Sequence, residues 1–177
     1  MQNQPSSQPI RARRSPHNKI CYQPIGVIHS PFSDTVGMPI QAVAARGIPG
    51  TLELDPAYRE GLTDIEGFSH LILLYHLHLV QSSSLTVIPF LDDEPHGIFA
   101  TRAPRRPNPI GLSIVRLVKV HETILDIEDV DVVDGTPLPD IKPYLPAFDE
   151  RTDVRIGWFT KNIERLKDVR ADDRMNT

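Results

Sequence analysis

Three features of this 177-residue chain predict a mainly β fold, a small barrel or sandwich. Short apolar runs alternate with period two, as half-buried strands do. Seventeen prolines punctuate them, which disfavours an all-helical fold. Regular strand-then-helix alternation is missing, which argues against a parallel α/β sheet. The length suits one substantial core and is short for two typical domains.

The elements follow in order. Ile25 to Ser30 reads as a short strand that Pro31 stops, and residues 34–49 as a loop closed by Pro49-Gly50. Thr51 to Leu54 alternates like a strand, and Pro56 can then start a short helix over Ala57 to Gly61 with Asp55 as N-cap. Ser69 to Leu79 is the clearest strand. Its odd positions, Leu71, Leu73, Tyr75, Leu77 and Leu79, are apolar, while His70, Ile72, Leu74, His76 and His78 make a mixed face suited to a polar site. Leu85 to Phe90 and Ile98 to Thr101 read as further strands. Ile110 to His121 follows as a long one, with Leu112, Ile114, Val118 and Val120 on one face. Ile124 to Val133 alternates with a phase slip that a bulge near Asp129 would repair. Asp134-Gly135-Thr136-Pro137 is a turn signature, and Pro139, Pro143 and Pro146 keep the next stretch extended. Thr160 can cap a closing helix from Lys161 to about Arg170, where Ile163, Leu166 and Val169 recur at helical spacing.

Charge is unevenly spread. Residues 1–19 carry Arg11, Arg13, Arg14 and Lys19 without an acid, giving +4, and the remainder sums to −8. The polar, Pro/Ser-rich tail lacks an apolar signal core and is expected to be disordered, a phosphate-attracting arm or a passive extension. The acidic body argues against a surface that coats nucleic acid broadly, so any such contact must be local. A single cysteine, Cys21, leaves no internal disulfide and fits a reducing, cytoplasmic setting. No apolar run reaches about 18 residues, so no membrane span is expected. Glycine-rich dinucleotide and phosphate loops, G-x-S-x-G, H-E-x-x-H and C-x-x-C are all missing.

The local site is visible in composition. Arg102-Ala103-Pro104-Arg105-Arg106-Pro107-Asn108-Pro109 sets three arginines among three prolines. Proline fixes φ and biases its predecessor to extended geometry, so the loop is stiff. A guanidinium held in place loses less freedom when it grips an anion. The loop therefore reads either as a preformed anion reader or as a rigid connector with solvated arginines. His76 and His78 have strand spacing for one metal, but no carboxylate partner follows and no metal site is expected. Asp134-Gly135-Thr136-Pro137 offers a carboxylate and exposed backbone groups, or only a hairpin. Tyr144, after Lys142 and Pro143, can stack on a base or simply pack.

Taken whole, Gly97 to Ser113, Gly-Ile-Phe-Ala-Thr-Arg-Ala-Pro-Arg-Arg-Pro-Asn-Pro-Ile-Gly-Leu-Ser, resembles the signature of the TrmO family, the tRNA adenine-37 N6-methyltransferases. Ile25 to Phe32, Gly67 to Leu71 and Val133 to Pro146 match further blocks in family order, spanning about residues 22–160. The resemblance implies a single-sheeted antiparallel β-barrel with short peripheral helices, usually a homodimer, binding S-adenosyl-L-methionine without a Rossmann fold. It divides the chain into a tail at 1–19, a barrel at 20–160 and a C-terminal helix and tail at 161–177.

It also implies a site. Cofactor contacts would fall on Gln41, Ala42, Val43, His78, Leu79, Arg102, Leu112, Asp134, Gly135, Thr136 and Pro137. The acceptor would be N6 of threonylcarbamoyl-adenosine beside the anticodon of a threonine tRNA, with Arg105, Arg106, Asn108 and Lys142 as tRNA contacts. Arg102 and Tyr144 are the catalytic candidates, and the proton acceptor would be Tyr144, Asp134 or solvent. Bacterial members carry a further C-terminal domain, whereas this chain continues about 30 residues past Tyr144. Grip on tRNA is then expected from the dimer, the arginine loop or the tail. The rival expectations are the same barrel acting on another acceptor, and a cofactor-binding regulatory module without catalysis.

Overall fold

Strands begin where the β-rich runs begin, and prolines and left-handed residues end them. A computed structural model describes residues 19–172. Apart from Lys19, the basic tail lies outside the described residues. Among the described residues nine strands form: β1 (Gly26–His29), β2 (Pro49–Leu54), β3 (His70–His76), β4 (Thr86–Val87), β5 (His96–Gly97), β6 (Ile110–His121), β7 (Ile124–Glu128), β8 (Thr136–Leu138) and β9 (Asp140–Pro143). Seven make one antiparallel sheet in the order β8-β1-β2-β7-β6-β3-β9, and β4 and β5 form a separate two-residue ladder. The outer strands β8 and β9 are consecutive and joined through Pro139, so the chain itself links the two edges. With β3 also packed on β8, the sheet curls into a nearly closed barrel. Pro137 and Pro143 sit in these edge strands, where a missing N–H costs no ladder bond. No helix among the described residues is long and apolar enough to cross a membrane.

The core lies inside the curl. Ile28, Leu52, Leu71, Leu73, Val115, Leu125, Ile127 and Leu138 are each at most 1% exposed. Burying such a side chain is worth about 1.5–3 kcal/mol. The expected inward face of β3 is correct through Tyr75, which is buried with Leu71 and Leu73.

Several local expectations are corrected. β3 stops at His76, and a turn closed by Val80 N–H to Leu77 C=O carries His78 instead. Leu85 to Phe90 contributes only the two residues of β4, and Ile98 to Ala100 is a 3₁₀ turn rather than a strand. The side chain of Thr101 bonds back to Ile98 C=O at 2.9 Å, closing that turn. Along β6 the inward positions are Gly111, Ser113 and Val115, while Leu112 and Ile114 face out at 47% and 39% exposure. The barrel interior here holds Tyr75 and a polar group, so small and polar residues occupy the inward parity. The extra residue sits in β6 between Leu117 and Lys119, opposite β7. At Asp129 a left-handed φ of 71° redirects the chain and returns Val130 and Val132 to the core. The closing α-helix is replaced by two 3₁₀ turns, Gly157–Lys161 and Ile163–Lys167, with Thr160 bonded inside the first to Gly157 C=O. Asp55 caps the turn at Pro56–Leu62 as expected, accepting Ala57 N–H at 2.8 Å.

Candidate functional site

The proline–arginine loop is fastened at its middle and at its end. Its Pro109 carbonyl accepts Leu77 N–H at 2.8 Å, and its Arg105 carbonyl accepts Ser84 N–H at 3.0 Å. Arg106 works inside the loop, donating from Nη1 to the carbonyls of Ile98 and Thr101 at 3.1 and 2.9 Å while lying over Phe99. Stiffness therefore comes from hydrogen bonds as well as from proline.

This loop separates two cavities that meet at Arg102. The first, about 310 Å³, is lined by Gln41, His78, Leu79, Arg102, Leu112 and Thr136, with Tyr75, Asp131 and the apolar Met38, Ile40, Leu77 and Val132. Its size suits a small organic ligand. The second is a groove of about 1090 Å³ walled by Val43, Arg105, Arg155, Trp158 and Phe159. Arg102, Gln41, Ile40, Thr101 and Pro104 border both.

Within the first cavity, Arg102 Nη1 donates to Gln41 Oε1 at 2.8 Å. That bond aims the guanidinium and leaves further donors for an anion. His78 Nδ1 lies 3.3 Å from Thr136 Oγ1, whose hydroxyl donates to Val133 C=O at 2.7 Å. With the Thr136 hydrogen engaged there, His78 Nδ1–H is the donor of that pair, and in the neutral ring Nε2 keeps its lone pair.

Asp131 was not singled out by the sequence reading. It is the carboxylate of this cavity, hemmed by protein yet keeping an accessible edge at the cavity wall. Its Oδ1 accepts the Ser113 hydroxyl at 2.5 Å, and Ser113 Oγ lies 2.9 Å from the buried Tyr75 hydroxyl. Desolvation pushes the Asp131 carboxyl up to about 6, opposed by the Ser113 hydroxyl, the Ala42 amide and the nearby Arg102 charge. Burial likewise pushes the Tyr75 phenol up, so it stays protonated. The available signal was one carboxylate inside the apolar run Val130-Asp131-Val132-Val133. Arg155, Trp158 and Phe159 were also missed, since only tertiary packing brings their segment to the groove. Trp158 is held there by its indole N–H on Ala100 C=O at 2.8 Å and by stacking on His96 and Phe159.

The remaining expected residues lie elsewhere. Ala42 reaches the site through its amide alone, and Val43 borders the groove. Asp134 ties the end of β1 to the turn, accepting Ser30 N–H at 3.1 Å and lying 3.2 Å from His29 Nδ1. Those bonds hold its carboxyl below the usual range. Gly135 supplies the φ of 76° that the turn requires, and neither it nor Pro137 lines the cavities. Asn108 and Lys142 line neither cavity; Lys142 is paired with Asp140 at 2.6 Å. Tyr144 lies away from both, edge-on to His70 and 3.3 Å from Glu150, and desolvation followed by the Glu150 charge raises its phenol. The Arg105 Nε–H is buried without a hydrogen-bond partner, although its Nη2 reaches Ser82 at 3.2 Å. An unmet buried donor costs about 1–3 kcal/mol, which an acceptor oxygen from a ligand can recover.

Fold and site define a class: antiparallel barrel proteins with a loop-walled small-molecule cavity rather than a helix-terminus nucleotide site. The family model of the tRNA-methyltransferase O N-terminal domain matches residues 27–150, and the chain belongs to the TrmO family. It is 58% identical over 155 residues to a "probable S-adenosyl-L-methionine-binding protein" of Pyrococcus abyssi, covering 88% of this chain and 84% of that one. It is 37% identical over 147 residues to the tRNA (adenine(37)-N6)-methyltransferase of Escherichia coli, covering 77% of this chain and 63% of that enzyme. The crystal structure of TrmO from Pseudomonas aeruginosa superposes with a TM-score of 0.67 at 39% identity, covering 80% of this chain and 63% of that one. The chain thus spans under two thirds of those two proteins.

Proposed function

We propose that this protein is an S-adenosyl-L-methionine-dependent methyltransferase acting on N6 of threonylcarbamoyl-adenosine at position 37 of threonine tRNA. The observation that carries the reading is the junction at Arg102, where a cofactor-sized cavity opens into a groove walled by arginines and aromatic rings. The cavity residues fit the cofactor by donor type. Arg102 and Gln41 suit its carboxylate, and the apolar wall of Met38, Ile40 and Leu77 suits its adenosine. When bound, S-adenosyl-L-methionine supplies a sulfonium methyl already activated for displacement.

The protein's task is then orientation and exclusion of water. The fastened loop holds Arg102 in place, and the apolar wall keeps the reacting centre dry. Arg105 and Arg155 offer charge to the phosphates of a single-stranded loop, and the Trp158–Phe159 stack gives a base an aromatic wall to pack against. A loop nucleotide is presented with less unstacking than a duplex base. Nucleoside mass spectrometry of tRNA incubated with protein and cofactor tests this. The expected product is N6-methylated threonylcarbamoyl-adenosine; its absence both there and in a deletion strain overturns the reading.

A homodimer is part of the same proposal. On the outside of the barrel, Ile72 pairs with Ile114 and Leu74 with Leu112, an apolar stripe rimmed by the ion pairs Arg116–Glu128 and Lys142–Asp140. An apolar centre with a charged rim is interface anatomy, and a second copy supplies the matching stripe. In light scattering, wild type is expected at dimer mass and Ile114→Arg at monomer mass with unchanged circular dichroism. A monomeric wild type sinks this part.

A further inference from the structure

We propose that Asp131 is the proton acceptor of the reaction, with Ser113 and Tyr75 as the hydroxyl chain that positions it. The proposal rests on the methyltransferase reading above.

Among the described residues lining the first cavity, Asp131 is the carboxylate, and it sits with Arg102 on that cavity's wall. Its surroundings determine the direction of every hydrogen in the chain. With Asp131 ionised, Ser113 can donate only to it, so the Tyr75 hydroxyl must donate to Ser113 Oγ. With Asp131 protonated, its O–H can donate to Ser113 while both hydroxyls turn. Heavy atoms stay in place in either state, which a group that gains and loses a proton each cycle requires.

The balance closes. The acceptor nitrogen uses its lone pair to form the N–CH₃ bond, and the electron pair of the broken C–S bond stays on sulfur as a neutral thioether. The N–H pair remains on nitrogen as its proton forms an O–H bond on Asp131, and that proton then passes to solvent. Asp134, whose Oδ1 is engaged by Ser30 and His29, and Tyr144 both lie outside the two cavities, so neither competes for this role.

The charged and titratable groups that act on Asp131 are Arg102 from the loop and Tyr75 from β3, while His78 from the turn after β3 and Arg106 from the loop line the same cavity. Arg102 and the Ser113 hydroxyl favour the carboxylate, and crowding by protein opposes it. The sign follows: a carboxyl lying near 6 is ionised at neutral pH and becomes a competent base as pH rises through that value.

The test compares wild type, Asp131→Asn, Asp131→Glu and Ser113→Ala in steady-state methylation of tRNA between pH 5 and 8.5. Asp131→Asn is expected to lose at least about a hundredfold in kcat, with KM for the cofactor within about threefold. The acidic limb of the wild-type profile disappears in its residual activity. Asp131→Glu restores part of the rate, and Ser113→Ala moves the limb to higher pH, because a bond favouring the carboxylate is gone. A second readout needs no turnover. Free of ligands, Asp131→Asn is expected to melt several degrees above wild type at pH 8, the gap closing as pH falls from about 6 to about 4, below which the wild-type carboxyl is protonated in both folded and unfolded chains.

Retention of more than a tenth of kcat, or of the acidic limb, in Asp131→Asn overturns the assignment, as does a loss carried entirely by KM for the cofactor. A lower melting temperature at pH 8 makes Asp131 a structural residue and also overturns it. Wild type that binds cofactor but methylates no tRNA nucleoside overturns the functional reading and the role together. An active wild type with an active Asp131→Asn overturns the role alone.

Discussion

Arg102→Ala is expected to abolish methyl transfer, lowering kcat/KM by at least about a thousandfold, since a charged bidentate contact and a neighbouring ionisation are lost together. Arg102 stands where the two cavities join, its guanidinium aimed by Gln41 at 2.8 Å. Removing it takes away the donor proposed for the cofactor carboxylate. It also removes a positive charge that favours the Asp131 carboxylate, so the Asp131 carboxyl moves further up and less of it is ionised at neutral pH. Arg102→Lys separates these effects, keeping the charge while losing the planar fork, and should recover only part of the rate. Because Arg102 is exposed and outside the apolar core, both variants should melt close to wild type. Near-normal turnover in Arg102→Ala removes it from the site.

A large effect on stability is expected at Gly111. It pairs with Tyr75 across β3 and β6, and a Cβ there would lie 2.0 Å from Tyr75 Cε2. The phenol ring occupies the space a side chain would need, inside a packed barrel. Gly111→Ala should therefore cost about 1–3 kcal/mol by overpacking. In a chain of this size each kcal/mol lowers Tm by about 2–4 °C. Displacing the ring also breaks the Tyr75–Ser113 bond, so activity should fall beyond what instability explains. Trimming the ring should relieve the clash, making Gly111→Ala with Tyr75→Leu less than additive in denaturant unfolding. Full additivity means that the ring and the glycine are not coupled as described.

Much of the barrel was legible in local pattern. β6 begins and ends at Ile110 and His121 as its composition dictates, and Asp55-Pro56 announces the turn that Asp55 caps. The proline–arginine loop marked one wall of the site, and Gln41, His78, Leu79, Leu112 and Thr136 join Arg102 around its cavity. What local pattern does not carry has one cause. Leu112 and Ile114 share an apolar face of β6, yet that face points outward and the inner one is given to Gly111 and Ser113 beside Tyr75. A barrel whose interior holds a polar chain inverts the pattern wherever that chain runs. Asp134 is expected at the cofactor beside a flexible glycine, and in the fold its Oδ1 meets Ser30 and His29, partners more than 100 residues away in sequence.

By itself the sequence determined the β class, the absence of a glycine-rich nucleotide loop, the stiff arginine segment and the family resemblance. Each of these is a property of neighbouring residues, written in period, proline content and motif. The tertiary structure alone decided that β8 and β9 bring the sheet edges together, that Arg106 holds its own loop while Arg102 faces the cavity, and that Asp131, Ser113 and Tyr75 form one chain. Those three residues come from three separate segments. Their hydrogen bonds, and the crowding that alters the Asp131 carboxyl, arise only when the barrel curls them together.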